Sequence, residues 1–272
     1  DPIVQKRVNR VQPPEIFHNI LTKEVREVYK TIAFDLLIGL PGQTCETMAK
    51  TCDQIVELRP TLIQLSLMAY KPWVAKYQIK MLADGPLPDF LDRRELLGVI
   101  NEKLLNAGYI RVGFECYALP DELMTKAFRE GTAHYGASGH QTGGRVNFIA
   151  VGSSAKGNLG DEYYSQSFYD LPSYKKSIDD GSFPIFRGMK LTQDDKIRQH
   201  ATQQLRSYFR MDFKQFEEFF NINPKDYFSK EIDFLDEMID DGLVIISDNA
   251  IEMTELGKDF SQNISNVFDK YD

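Results

Sequence analysis

One tryptophan, three cysteines and four histidines are spread over 272 residues. Three cysteines build no disulfide framework, and no pair has CxxC spacing. Cys45 and Cys52 fall on one stripe of an expected helix. Cys116 belongs to the alternation Ile110, Val112, Phe114, Cys116. All three therefore read as small buried hydrophobes. The histidines His18, His134, His140 and His200 form no HxH or HExxH arrangement. No metal ligand is expected in the chain, and a reducing, cytoplasmic setting fits. No apolar run approaches the roughly 18 residues that span a bilayer, so no membrane partner is expected. Basic charge is scarce as well. The formal net charge is −8, and residues 190–272 carry 10 Lys/Arg against 18 Asp/Glu, a balance of −8. A nucleic-acid partner needs a basic face, so none is expected.

What is present is ordinary for a globular protein: 42% apolar and 26% charged residues. The stretch Asp35–Thr44, DLLIGLPGQT, organises the rest. Asp35-Leu36-Leu37-Ile38 reads as a short strand and Gly39-Leu40-Pro41-Gly42 as a tight turn. Thr44 reads as the cap of a helix over 44–58 whose stripe is Cys45, Met48, Ala49, Cys52, Ile55, Val56. An amphipathic helix over 15–29 is expected before it. Leu62–Tyr70 reads as a further strand, residues 92–105 as a helix, Tyr109–Tyr117 as an alternating strand and Asp121–Arg129 as a short helix. Repeated strand–helix units imply a parallel sheet or barrel whose working edge is the loops after the strands. Residues 135–144 are glycine-rich, and Asn147–Val151 reads as a last short strand. Beyond about residue 160 the pattern changes. Helices are expected over 192–209, 212–220, 225–241 and 254–269, with a two-stranded ribbon over 243–253. Helices with a small ribbon resemble a winged helix.

Several segments, in order, carry a family resemblance. They are Val4-Gln5-Lys6-Arg7-Val8-Asn9-Arg10, Asp35–Thr44, Arg129-Glu130-Gly131, and Phe186-Arg187-Gly188-Met189-Lys190-Leu191-Thr192 with Asp194-Asp195-Lys196-Ile197-Arg198. Asp240-Asp241-Gly242-Leu243-Val244 through Thr254 and Gly257 completes the set. Together they resemble the oxygen-independent coproporphyrinogen III oxidases, radical S-adenosylmethionine (SAM) enzymes of haem synthesis. The resemblance implies an α/β fold. Residues 1–160 would be the later part of a partial (β/α) barrel, and residues 161–272 a mostly helical C-terminal domain with a small winged-helix-like ribbon. It implies oxidative decarboxylation of coproporphyrinogen III to protoporphyrinogen IX through a SAM-derived 5′-deoxyadenosyl radical. The cofactors would be SAM and a [4Fe–4S] cluster, and the partners a tetrapyrrole and an electron donor, with the protein a monomer. The family holds its cluster in a CxxxCxxC loop, and no such triplet occurs here. The chain therefore reads as a fragment, inactive alone, with that loop upstream of Asp1. Four positions match SAM contacts of the family: Arg10, Asp35, Ala69 and Lys156, the last standing where the family has an apolar residue.

Three loops depart from the family pattern: Tyr70-Lys71-Pro72-Trp73, Glu115-Cys116-Tyr117-Ala118 and Tyr135-Gly136-Ala137-Ser138-Gly139-His140. The last of these motivates a second reading, a related haem-binding or haem-modifying radical SAM protein without the oxidase activity. Coproporphyrinogen carries four carboxylates, and Arg111, Arg129 and Arg145 are possible donors to them.

Overall fold

Thr and Asp side chains start most of the longer helices, and glycines with positive φ turn the chain between elements. The computed structural model describes residues 1–83, 85–136, 139–143, 147–160 and 162–271. The chain divides into two compact units, Asp1–Arg129 and Glu130–Asp272. A boundary near residue 160, as composition suggests, falls inside the second unit.

In the first unit three short helices, α1 (Pro2–Arg7), α2 (Glu15–Ile20) and α3 (Lys23–Val28), precede the sheet. The single helix expected over 15–29 is thus two. Thr22 adopts an extended conformation and its hydroxyl accepts from Val25 N, so it starts a new helix in the middle of the stripe. Then come β1 (Ala33–Ile38), α4 (Cys45–Leu58), β2 (Leu62–Leu67), α5 (Phe90–Asn106), β3 (Ile110–Arg111), β4 (Cys116–Ala118) and α6 (Leu123–Glu130). Thr44 caps α4 in a reciprocal box with Thr47, as its position predicts. The cap of α5 is Asp89, boxed with Asp92, rather than Asp92 with Glu95.

The sheet order is β1-β2-β4-β3. Strands β1 and β2 are parallel, with Asp35 opposite Gln64 and Ile38 opposite Leu67. The all-parallel arrangement expected from the strand–helix alternation ends there: β4 runs antiparallel to β2 and to β3. The cause is local. Gly113 and Glu115 both take positive φ, 83° and 61°, and fold the alternating run 109–117 into a hairpin. One face of the sheet is the core. Leu36, Ile38, Ile63 and Leu65 pack with Met48, Cys52 and Ile55 of α4 and Leu96, Ile100 and Leu104 of α5.

The second unit holds β5 (His134–Gly136) paired with β6 (Gly139–Gln141), and the sheet of β7 (Lys156–Leu159), β8 (Tyr163–Ser167) and β9 (Ile185–Lys190), with α7 (Leu171–Asp179) between β8 and β9. Asn147–Val151, expected as a strand, makes only a bridge from Phe148 to Asn158. Then follow α8 (Gln193–Tyr208), β10 (Arg210–Asp212), α9 (Phe213–Phe220) and α10 (Pro224–Tyr227). The chain continues through α11 (Ser229–Asp233), α12 (Asp236–Asp240), β11 (Val244–Ile246), β12 (Ala250–Met253) and α13 (Ser261–Asn266). The helix expected over 225–241 is three short pieces. The expected ribbon β11–β12 gains β10 as a third strand. Ile197, Ala201 and Leu205 of α8 are buried, as are Phe216, Phe228 and Phe268.

Candidate functional site

In the first unit, strand alternation sorts β1 into two faces. Leu36 and Ile38 are buried on the helix side, so Asp35 and Leu37 stand exposed on the other. Asp35 opens onto that face beside Gln64, its register partner on β2. No hydrogen bond or ion pair to the Asp35 side chain is made among the described residues. The turn after β1 is braced from within. Gln43 Oε1 accepts from Gly39 N at 2.7 Å and Leu40 N at 2.9 Å, while its Nε2 donates to Leu37 O at 2.8 Å. Gly42, at φ 85°, leaves room for a guanidinium: a Cβ there would lie 2.3 Å from Arg7 Nη1.

Arg10 is exposed in the loop after α1, its N–H bonded to Gln5 O at 2.9 Å. Ala69 lies two residues past β2, exposed, and its carbonyl accepts from Gln78 Nε2 at 3.0 Å. The loop beyond carries Trp73, 74% exposed, with Val74 and Tyr77 also open to solvent. Lys156 belongs to the other unit and opens strand β7 opposite Gln166, rather than sitting in a loop. So three of the four SAM-contact positions lie in the first unit and one in the second. Among the described residues no hydrogen bond or ion pair joins any two of them.

The second unit contains a cavity of about 430 Å³ that includes Lys156 in its wall. Its polar lining includes His134, Gln141, Lys156, Asn158, Gln166 and Arg187, and Phe148 and Met189 supply apolar surface. Arg187 donates from Nε to Gln166 Oε1 at 2.9 Å and meets no carboxylate among the described residues, so its charge is not neutralised locally. Gln141 Oε1 and Asn158 Oδ1 are buried acceptors with no donor among the described residues. A cavity with two cations and two waiting acceptors suits a ligand that carries both an anionic group and N–H or O–H donors. Behind it lies His140, 8% exposed, whose imidazole burial pushes down to about 4.

The cysteines do not form a centre. Cys52 and Cys116 are buried in the apolar core, where desolvation raises both thiols, Cys52 to about 11. Cys45 is half-buried, its Sγ 3.8 Å from Glu95 Oε2. Among the described residues no three His, Cys, Asp or Glu side chains could share a metal ion. No helix among them is long and apolar enough to cross a membrane. Arg111 lies over the Tyr117 ring at 5.9 Å, and Arg129 donates to Pro120 O. Arg145, Ala137 and Ser138 lie outside the described residues.

Comparison with known proteins adds the family. No protein-family profile matches the chain. The oxygen-independent coproporphyrinogen III oxidase of Pseudomonas aeruginosa is 33% identical over 271 residues, which is 100% of this chain and 58% of that protein. Its counterpart from Escherichia coli is 32% identical over 269 residues, again spanning 58% of the relative. The solved structure of the Escherichia coli coproporphyrinogen III oxidase, described as a radical SAM enzyme, matches with a TM-score of 0.91 at 32% identity, covering 100% of this chain and 62% of that one. The chain is a homologue of the oxygen-independent coproporphyrinogen III oxidases. It spans a little under three-fifths of the length of these relatives. The mixed α/β fold is the one the Escherichia coli oxidase shares.

Gln78, past β2, escaped the sequence reading. Arg7, Gln43 and Arg187 were quoted within matching segments but not as site residues. The common reason is that long polar side chains reach their partners through the fold, and sequence spacing does not show where they point.

Proposed function

We propose that the chain is part of an oxygen-independent coproporphyrinogen III oxidase of the radical SAM type. The observation that carries this is the match to the Escherichia coli oxidase over the whole chain, at 32% identity and a TM-score of 0.91. On this reading residues 1–160 are the later part of a partial (β/α) barrel, with its working edge past β1 and β2, and residues 161–272 a mostly helical domain with a winged-helix-like ribbon.

SAM, when bound to a reduced iron–sulfur cluster, supplies a radical able to take a hydrogen atom from a substrate propionate. The chain's own cysteines do not fit a [4Fe–4S] cluster. They lack the CxxxCxxC spacing, and two of them are buried in apolar core. The cluster ligands are proposed to lie outside these 272 residues. Asp35, Arg10 and Ala69 carry groups that suit SAM. Asp35 is an exposed carboxylate with no cationic partner among the described residues, suited to accept hydrogen bonds from a hydroxyl or ammonium group. Arg10 offers a guanidinium fork to a carboxylate. Ala69 leaves the backbone beside it open to close approach. Lys156, in the second unit, is proposed to meet an anionic group in its own cavity, beside Arg187. The substrate is proposed to be coproporphyrinogen III, of which two propionates each lose a hydrogen atom, CO2 and one electron, the electron passing to an acceptor, to leave vinyl groups. An electron donor is required. A cytoplasmic monomer is the expected state.

The experiment is to express the complete protein, reconstitute the cluster without oxygen and follow coproporphyrinogen by chromatography. Loss of substrate with appearance of protoporphyrinogen is expected. Normal SAM cleavage with intact substrate, or tight haem binding without decarboxylation, overturns the oxidase reading.

A further inference from the structure

Two glutamines do the same mechanical task at neighbouring strand ends. Gln43 joins Leu37 O to the N–H groups of Gly39 and Leu40 through the two ends of one amide, at 2.8, 2.7 and 2.9 Å. Gln78 joins Ala69 O to Lys71 N in the same way, at 3.0 and 2.6 Å. Each planar amide spans the bend where the chain leaves a strand. Strands β1 and β2 are parallel and paired to their last residues, Ile38 opposite Leu67. The two braces therefore stand on the same edge of the sheet, after adjacent strands.

Backbone groups past a strand end need partners outside the ladder, and water serves them equally well without fixing their direction. Both glutamines are half-buried and their bonds are exposed or part-buried, so little net stability rides on them. What a brace adds is position. A primary amide is suited to the task because it donates and accepts from one rigid plane. A carboxylate can fill only the accepting half, and its charge repels the carbonyl that the amide bonds. Once protonated, the same carboxyl regains a donor.

We propose that Gln43 and Gln78 are positioning residues that hold the backbone past β1 and β2 in the geometry SAM binds. The proposal rests on the reading of Asp35 and Ala69 as SAM contacts. Gln78 acts on Ala69 directly. Gln43 acts on Leu37, which shares the exposed face of β1 with Asp35, and on Gly39 and Leu40 of the turn beyond it.

The test is equilibrium dialysis of radiolabelled SAM against the complete cluster-loaded protein, without reductant, from pH 8 to pH 5. Wild type, Gln43→Glu, Gln78→Glu and Asp35→Asn are compared, and unfolding temperatures are recorded alongside. Each glutamate variant is expected to bind SAM about tenfold more weakly at pH 8, the size of one hydrogen bond lost between the displaced backbone and SAM. Gln78→Glu is expected to recover part of that affinity at pH 5, where a carboxyl near its ordinary value of about 4.3 begins to protonate; Gln43→Glu recovers less, because the N–H groups of Gly39 and Leu40 would still favour its charged form. The unfolding temperature at pH 8 should stay within about 2 °C of wild type. Weakened binding of Gln78→Glu that does not begin to recover in acid, or weakened binding of either variant that follows a lowered unfolding temperature, overturns the proposal. So does wild-type affinity in both glutamate variants when Asp35→Asn binds weakly, a result that leaves the SAM reading standing. Unchanged binding in all three variants removes SAM from this edge and both readings with it. If a glutamate variant does not fold, the corresponding Gln→Asn, one methylene too short to span both partners, is read by the same criteria at pH 8.

Discussion

His140 lies in β6 at 8% exposure, edge-on to the Tyr135 ring at 5.0 Å. Burial pushes its imidazole from an ordinary value near 6.5 to about 4, with His134 adding to the downward shift. Above pH 6.5 the ring is neutral in both folded and unfolded chains, and the contribution to stability is full. Between 6.5 and 4 the unfolded chain takes up a proton that the folded chain refuses, so stability falls as pH falls. The loss across that window reaches about 3 kcal/mol for a shift of this size. Urea unfolding at pH 7.5 and pH 5 should show it, and His140→Phe should flatten the difference; an unchanged slope in the variant would assign the acid sensitivity elsewhere. At this scale the sequence is legible where polarity interrupts a pattern. Asp35 opens an apolar run, and alternation alone puts it opposite the buried Leu36 and Ile38. The burial of His140 is not legible, because a histidine in a glycine-rich stretch reads as loop until the strand pairing is known.

Gly257 sits between β12 and α13, where the chain folds back under β11. A Cβ there would lie 1.9 Å from Leu243 O, a backbone atom that cannot swing aside. Thr254 fixes the same corner, its N–H bonded to Leu243 O and its hydroxyl to Gly242 O. Gly257→Ala should therefore destabilise the protein by about 3 kcal/mol, as severe overpacking does, measured by the denaturation midpoint. Retention of the wild-type midpoint would mean that the β11–β12 corner shifts freely. Elements were legible where a cap and a stripe agreed, as in α4. They were lost where a second local signal cut a stripe, as Thr22 does between α2 and α3. The hairpin of β3 and β4 belongs to the same class. The alternation of Ile110, Val112, Phe114 and Cys116 is real, but Gly113 and Glu115 in positive φ reverse the chain inside it.

Over the whole molecule, charge is the most direct prediction. Residues 190–272 hold all of the net −8, and the three-stranded sheet β10-β12-β11 lies within that segment. The winged-helix resemblance proposed for this segment would suggest DNA, yet here the field has the wrong sign. The protein should pass a DNA column unretained at 0.1 M salt; retention released by added salt would contradict this. Architecture was legible as α/β with a change of character in the second half. The cavity of the second unit was not, because its lining comes from five separate strands and the Phe148 bridge, each with only one or two polar residues. Lys156 was reached by resemblance, while Arg187 and the waiting acceptors of Gln141 and Asn158 needed the coordinates.

The mixed sheet also sets an order of events when the chain first folds. Strands β3 and β4 are joined by a four-residue link, Val112 to Glu115, and can close on the microsecond scale of hairpins. The parallel pair β1–β2 must wait for helix α4 to cross between them, and its contacts are costlier in loop entropy. Because β4 is already the partner of β3, it offers β2 a finished edge to add onto. The reversal that breaks the parallel regularity of the sheet thus supplies the template on which the edge past β1 and β2 is assembled.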